Sequence, residues 1–136
     1  DVYKRQLDAA AAEVRAHAER WTHDLESHVA ALAVAVARHV IGREAAADPS
    51  LVAGLVARAV EEFPAGQALA ARVHPADLPA LRAAWAGAAR EAELRWIADP
   101  AVVRGGALVE GRERIVDGRV DTALERVYRA LGGHRA

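Results

Sequence analysis

The sequence predicts an α+β fold: a long N-terminal helix, a coiled-coil stalk over its first half, followed by a small mixed sheet with packed helices. Three observations carry this. Residues 7–47 keep a helical period, with no glycine or proline before Gly42. Leu69, Ala71 and Val73 alternate with Ala70, Arg72 and His74, the period of a half-buried strand. After residue 47 the segments read helix, strand, helix, strand, strand, strand, helix, an order whose layer solution is helices packed on a sheet.

The long helix begins with a heptad seam. Leu7, Val14, Trp21 and His28 fall at one repeating position, and Ala11, Ala18, Leu25 and Leu32 at the other. Glu13, Arg15, Glu19, Arg20, Thr22, Asp24 and Glu26 separate them. A narrow apolar seam of this period is what two paired helices bury, so Leu7, Val14, Trp21, Leu25, His28 and Leu32 are the candidate dimer seam. From Val29 the stripe broadens through Leu32, Ala33, Val36, Ala37, Val40 and Ile41, as for a helix docking onto a core. About forty helical residues span roughly 60 Å, more than a domain of this size needs. The opening DVYKRQ fits the seam poorly and is similar to adapter sequence translated at the ends of metagenomic reads. The domain reading is therefore a non-native leader at 1–6, a stalk and docking helix at 7–47, and a globular α+β domain at 48–136. On that reading the chain is the C-terminal part of something longer.

Asp48-Pro49 starts a second helix running to about Phe63, with Val52, Leu55, Val56, Ala59 and Phe63 inward. Pro64-Ala65-Gly66 stops it, and the strand at Leu69 follows. His74-Pro75-Ala76-Asp77 turns the chain, and Asp77 or His74, with Pro79 favouring Asp77, caps a helix presenting Leu78, Leu81, Trp85 and Ala88 and ending near Arg90. Residues 93–98 form the second strand, with Leu94 and Trp96 on one face, ended by Asp99-Pro100. After Gly105-Gly106, residues 107–110 and 114–116 form a hairpin. Asp121 caps the last helix, which stacks Val120, Leu124, Val127 and Leu131 and ends at Gly132-Gly133.

The chemistry suggested by single residues is sparse. A net charge of −1 gives no basic field for nucleic acid. The absence of cysteine removes disulfides, thiolate metal sites and cysteine nucleophiles. No uninterrupted apolar run is long enough to insert in a membrane, because Arg38 and His39 close the one at 29–40, and no signal peptide is apparent. A cytoplasmic protein is expected. His17, His28 and His39 recur every eleven residues on one helix, about 16 Å apart, too far to share an ion. Asp99, Glu110, Asp117 and Asp121 resemble an acid/base set, but turns and caps account for them. Gly105-Gly106 lacks the lysine and hydroxyl of a phosphate loop, so neither cofactor nor catalysis is expected. Trp85 and Trp96 fit core positions. Trp21, on a stalk without a core, is the interface candidate.

Val73-His74-Pro75-Ala76-Asp77-Leu78 resembles the "VNPED"-type turn of the FliH family, the stator of the flagellar export ATPase. Ala98-Asp99-Pro100 followed by Gly105-Gly106-Ala107-Leu108-Val109-Glu110 is similar to its "DP…GG…IE" segment. Val120-Asp121-Thr122-Ala123-Leu124 and Arg126-Val127-Tyr128-Arg129-Ala130-Leu131-Gly132 resemble its closing helix. Order and spacing agree over residues 32–132. His74 departs from the family's usual Asn, a better cap, which would move helix initiation to Asp77. The resemblance extends faintly to the injectisome stator of the SctL/YscL type and to the E subunit of V/A-type rotary ATPases.

The resemblance implies a non-enzymatic, homodimeric stator and negative regulator of the hexameric flagellar export ATPase, working in type III protein export. It would be cytoplasmic and peripheral to the export apparatus, and would reach the rotor C-ring through an N-terminal region not present here. The alternative it leaves open is a peripheral-stalk E-type subunit of a rotary ATPase. Binding of the ATPase N-terminal segment falls, on this reading, to the last helix and the hairpin before it, with Val103, Leu108, Ile115, Tyr128 and Arg129 as candidates.

Overall fold

The computed structural model describes residues 1–134, so Arg135 and Ala136, the end of the expected globular domain, lie outside the described residues. The fold is α+β. In order, it comprises α1 (Val2–Ala47), α2 (Ser50–Glu61), β1 (Leu69–Val73), α3 (Leu78–Trp85), a 3-10 turn (Glu91–Glu93), β2 (Leu94–Ala98), β3 (Ala107–Glu110), β4 (Ile115–Gly118) and α4 (Val120–Ala130). Two compact units emerge: Val36–Glu125, and Asp1–Ala35 with the chain from Arg126 onward.

The larger unit is built on a four-stranded mixed sheet in the order β2-β1-β3-β4. β1 and β2 are parallel, with Leu69 opposite Leu94 and Val73 opposite Ala98. α3 is the crossover between them, as a parallel pair requires. β3 runs antiparallel to β1, and β4 to β3. The alternation expected at residues 69–73 is realised: Leu69, Ala71 and Val73 are buried and the residues between them half-buried. Val52, Val56, Val60 and Phe63 of the α2 segment, with Leu81 and Trp85 of α3, complete one core over that face, including Ala107 and Val109 of β3. Trp85 and Trp96 meet edge to face with centroids 6.1 Å apart, so both expected core tryptophans are packed there.

Arg90 secures the end of α2. Its guanidinium donates to the carbonyls of Val60 and Phe63, both at 2.9 Å, and to that of Pro64 at 2.9 Å, taking up acceptors that a helix end leaves unpaired. It also pairs with Glu93 at 2.9 Å, and Glu93 accepts the Gly66 N–H at 2.7 Å.

Several element ends differ from expectation, each for a local reason. α2 ends at Glu61, short of Phe63, and α3 ends at Trp85, leaving Ala88 exposed beyond it. Gly87 adopts a left-handed φ of 80°, which stops α3. β4 begins at Ile115, one residue past Arg114, and runs to Gly118. α2 begins at Ser50 with Pro49, rather than Asp48, in the cap position and without a side-chain cap, though the Asp48 carboxylate accepts the Ser50 N–H at 3.1 Å just before it. Asp77 likewise makes no side-chain cap on α3. His74 takes the vacated local role: its Nδ1 accepts the Ala76 N–H at 3.0 Å, the bond an Asn oxygen makes in such a turn. Nor does Asp121 cap α4. Asp117 lies before that helix and accepts the Arg119 N–H at 3.0 Å and the Thr122 hydroxyl at 2.9 Å. Asp121 instead sits in the first turn, paired with Arg38 at 3.0 Å. Of the expected α4 stripe, Val120 and Leu124 are buried, while Val127 and Leu131 are exposed.

In the smaller unit the chain beyond α4 folds back on α1. Gly132 adopts a left-handed φ of 89°, and the Gly133 N–H reaches the Tyr128 carbonyl at 2.8 Å. The Tyr128 hydroxyl donates to the His134 carbonyl at 2.9 Å and accepts from Ser27 at 3.0 Å. His134 stacks on His23 with ring centroids 3.9 Å apart.

Candidate functional site

Two surfaces of this chain carry apolar side chains that its own fold does not cover. The first is α1. Its inward face is made of small or medium residues: Ala30 and Ala45 are buried, and Val34, Ala37 and Ile41 half-buried. Ile41 and Ala45 abut Gly105, where a Cβ would come within 3.1 Å of the Ile41 side chain. Of the docking stripe expected through Val29, Leu32, Ala33, Val36, Ala37, Val40 and Ile41, Ala37 and Ile41 lie on the packed side, whereas Val29, Leu32, Ala33, Val36 and Val40 are exposed, which corrects the face. Apart from Arg38 and His39, every residue from 29 to 41 is apolar, so period alone could not choose between faces.

The large side chains face the other way. Leu7 is 71% exposed, Val14 68%, Trp21 63%, Leu25 45% and Leu32 67%, and His28 is exposed among them. Tyr3, Val29, Val36 and Val40 are exposed as well. Every residue of the candidate seam thus lies uncovered. A run of this kind on one helix exceeds the singly scattered surface hydrophobics of ordinary proteins. By length and composition alone α1 is long and apolar enough to cross a membrane, although Arg38 and His39 interrupt its apolar run.

The second surface is the sheet face opposite the core. Register places Arg95, Ala70, Glu110 and Ile115 in one row across the strands, and Ile97, Arg72, Leu108 and Asp117 in the next. Arg72 binds Glu110 at 2.9 Å and approaches Asp99 at 3.8 Å, so the charges at the centre are paired and the apolar residues remain. Ile115 is 63% exposed; Leu108 and Ile97 are half-buried. Of the candidate ATPase-binding residues, Leu108 and Ile115 are brought together on this face. Val103 is half-buried in the loop before β3. Tyr128 and Arg129 belong to the other unit. Ile97 and Ala70 were missed by sequence reasoning; strand alternation names their face, but only the pairing register puts them beside Leu108.

The place where a parallel β–α–β unit most often binds a ligand, the carboxyl ends of the strands, is filled by the chain itself. Asp77 is nearly buried and accepts from Arg104 Nε at 3.0 Å and from the Gly105 N–H at 3.0 Å. Gly105 needs its left-handed φ of 91° to offer that N–H. Gly106 lies against the backbone of Arg119 and Val120, 2.9 Å from where a Cβ would stand. The adjoining cavity holds only about 20 Å³, room for about one water. Asp99 accepts the Ala101 N–H at 2.9 Å. Hydrogen bonding from the Arg119 side chain, outweighing the burial penalty, holds the Asp117 carboxyl well below the usual range. Hydrogen bonding from Arg90 likewise lowers Glu93. Asp117 and Glu93 are thus anchored, ionised groups rather than poised acids. Among the described residues, no group of three or more histidines and carboxylates is placed to hold a metal ion.

Compared with known proteins, residues 2–127 match the family model of the flagellar assembly protein FliH. No curated protein matches the chain.

Proposed function

This chain belongs to the FliH family of flagellar assembly proteins, and from that premise we propose that it is a non-enzymatic stator and negative regulator of the flagellar export ATPase. It pairs with a second copy along the outer face of α1, and it captures the N-terminal segment of the hexameric ATPase with the globular unit. The observation that carries this reading is the uncovered line of large apolar residues from Leu7 to Leu32 on a 46-residue helix. Such a surface has a use only when something covers it. The open sheet face supports the second half of the reading. Leu108, Ile115 and Ile97 offer an apolar floor to an amphipathic helix, and the paired charges around them can hold its polar edge in register.

The experiment is capture of the export ATPase by this chain, using the intact ATPase and a form lacking its N-terminal segment. Binding to the intact form alone, with lowered turnover, is the expected result. Ile115→Asp should weaken capture at least about tenfold, the loss of one buried anchor, without changing the circular dichroism spectrum. Equal binding to both forms would refute the assignment.

A further inference from the structure

We propose that two copies of this chain pair along α1 on an eleven-residue repeat rather than a seven-residue one. The seam then continues through Val29, Val36 and Val40, and the pair supercoils to the right. This rests on the self-pairing proposed above and specifies its geometry.

Spacing on α1 sets the period. Val14, Leu25 and Val36 follow one another by elevens, and so do Leu7, Ala18, Val29 and Val40. Ala10, Trp21 and Leu32 make a third row. The large residues of all three rows are exposed. Sevens serve only the first half: from Leu7, Val14 and Trp21 they arrive at His28 and Ala35, and from Ala18, Leu25 and Leu32 at His39. His17, His28 and His39, which nothing else in the fold explains, keep the same eleven-residue step and mark one polar edge of the stripe.

At 3.6 residues per turn, eleven residues make three turns and overshoot by about 20°, while seven make two turns and fall short by about 20°. Seams that drift in these opposite senses wind in opposite hands. By the same arithmetic Leu7 to Val40 stay within a band about 100° wide, and Ala30, Val34, Ala37, Ile41 and Ala45 are centred roughly opposite it. One side of the apolar segment is therefore covered by the chain itself, and the large apolar residues on the other side are left for a partner to cover.

The size of the stripe suits a second copy. Leu7 to Val40 runs about 50 Å, and a contact strip about 10 Å wide gives about 1,000 Å² over two copies in flat projection. That is the roughly 1,000 Å² a specific interface has to reach. A lipid surface is the poorer occupant, because the polar residues beside the stripe include Asp8, Glu13, Glu19, Asp24 and Glu26 and are not dominated by Lys and Arg.

The absence of cysteine makes a direct test clean. Single cysteines are introduced into the full chain at Val29, Val36 and Val40, at His28, Ala35 and His39, and at Leu25, which both periods place in the seam. Alkylation rates are read at micromolar concentration, with helicity checked by circular dichroism. The eleven-residue seam predicts that Val29→Cys, Val36→Cys and Val40→Cys react at least about tenfold slower than His28→Cys, Ala35→Cys and His39→Cys, with Leu25→Cys slow as well. The reverse pattern with Leu25→Cys still slow would overturn the period and leave the pairing intact. Fast reaction at Leu25 as well as at all six others would remove the pairing itself, and this proposal with it.

Discussion

The unit from Val36 to Glu125 and the outer face of α1 use the same kinds of apolar residue to opposite ends. Within the unit, Leu69, Ala71, Val73, Leu81 and Val109 are covered by neighbours the chain supplies. On α1, Leu7, Trp21 and Leu32 stand exposed, uncovered by any of the described residues. The difference separates residues that specify a fold from residues that specify an assembly. It predicts that damage to the first costs stability whatever the protein concentration, and damage to the second costs association alone.

The largest expected effect breaks the assembly side. Leu25→Asp together with Leu32→Asp should abolish pairing at micromolar concentration, because a charge in an apolar seam must be desolvated. Fluorescence of Trp85 and Trp96 should report an unchanged unfolding midpoint for the larger unit. On the fold side, Leu81→Ala removes a fully packed side chain and should cost about 3–5 kcal/mol in denaturant unfolding, with no change in the association constant of the protein that remains folded.

Asp77→Ala sharpens the comparison at a polar position. It strands Arg104 and the Gly105 N–H at a site where the carboxylate is nearly buried, and should cost about 2–4 kcal/mol. If Asp77 were an ordinary helix cap, the loss would stay near 1 kcal/mol. A smaller effect is expected from acid. Asp117 and Glu93 bind protons less well folded than unfolded. Their contribution is therefore complete above the unfolded carboxylate values near pH 4 and is lost as pH falls through the folded ones. Asp117→Asn should flatten the fall in stability between about pH 5 and pH 2. The smallest effect is that of Tyr128→Phe, which removes the hydroxyl between Ser27 and the His134 carbonyl and should cost about 1 kcal/mol in local opening, read by hydrogen exchange of the last turn.

What could be read from the residues follows from the range of the interactions involved. Strand β1 was legible because alternation at Leu69, Ala71 and Val73 needs no knowledge of the partner strand. The entry to α2 was legible because Asp48 bonds two residues on. Asp77 was misread because its partner lies 27 residues away at Arg104. Asp121 was misread because Asp117, itself legible as part of a turn, reaches forward to Thr122. The docked face of α1 was hidden by composition: between Val29 and Ile41 almost every residue is apolar, so the period leaves the packed face undecided. The open sheet face was half legible, since Leu108 and Ile115 were found from their strands while Ile97 needed the register.

The central claim is that the outer face of α1 is covered by a second copy, and the most direct measurement is the mass in solution. Light scattering on the full chain at micromolar concentration should return twice the 14.5 kDa of one chain, and 14.5 kDa for the Leu25→Asp, Leu32→Asp variant. A single folded chain at high concentration, with that stripe still bare, would contradict the account.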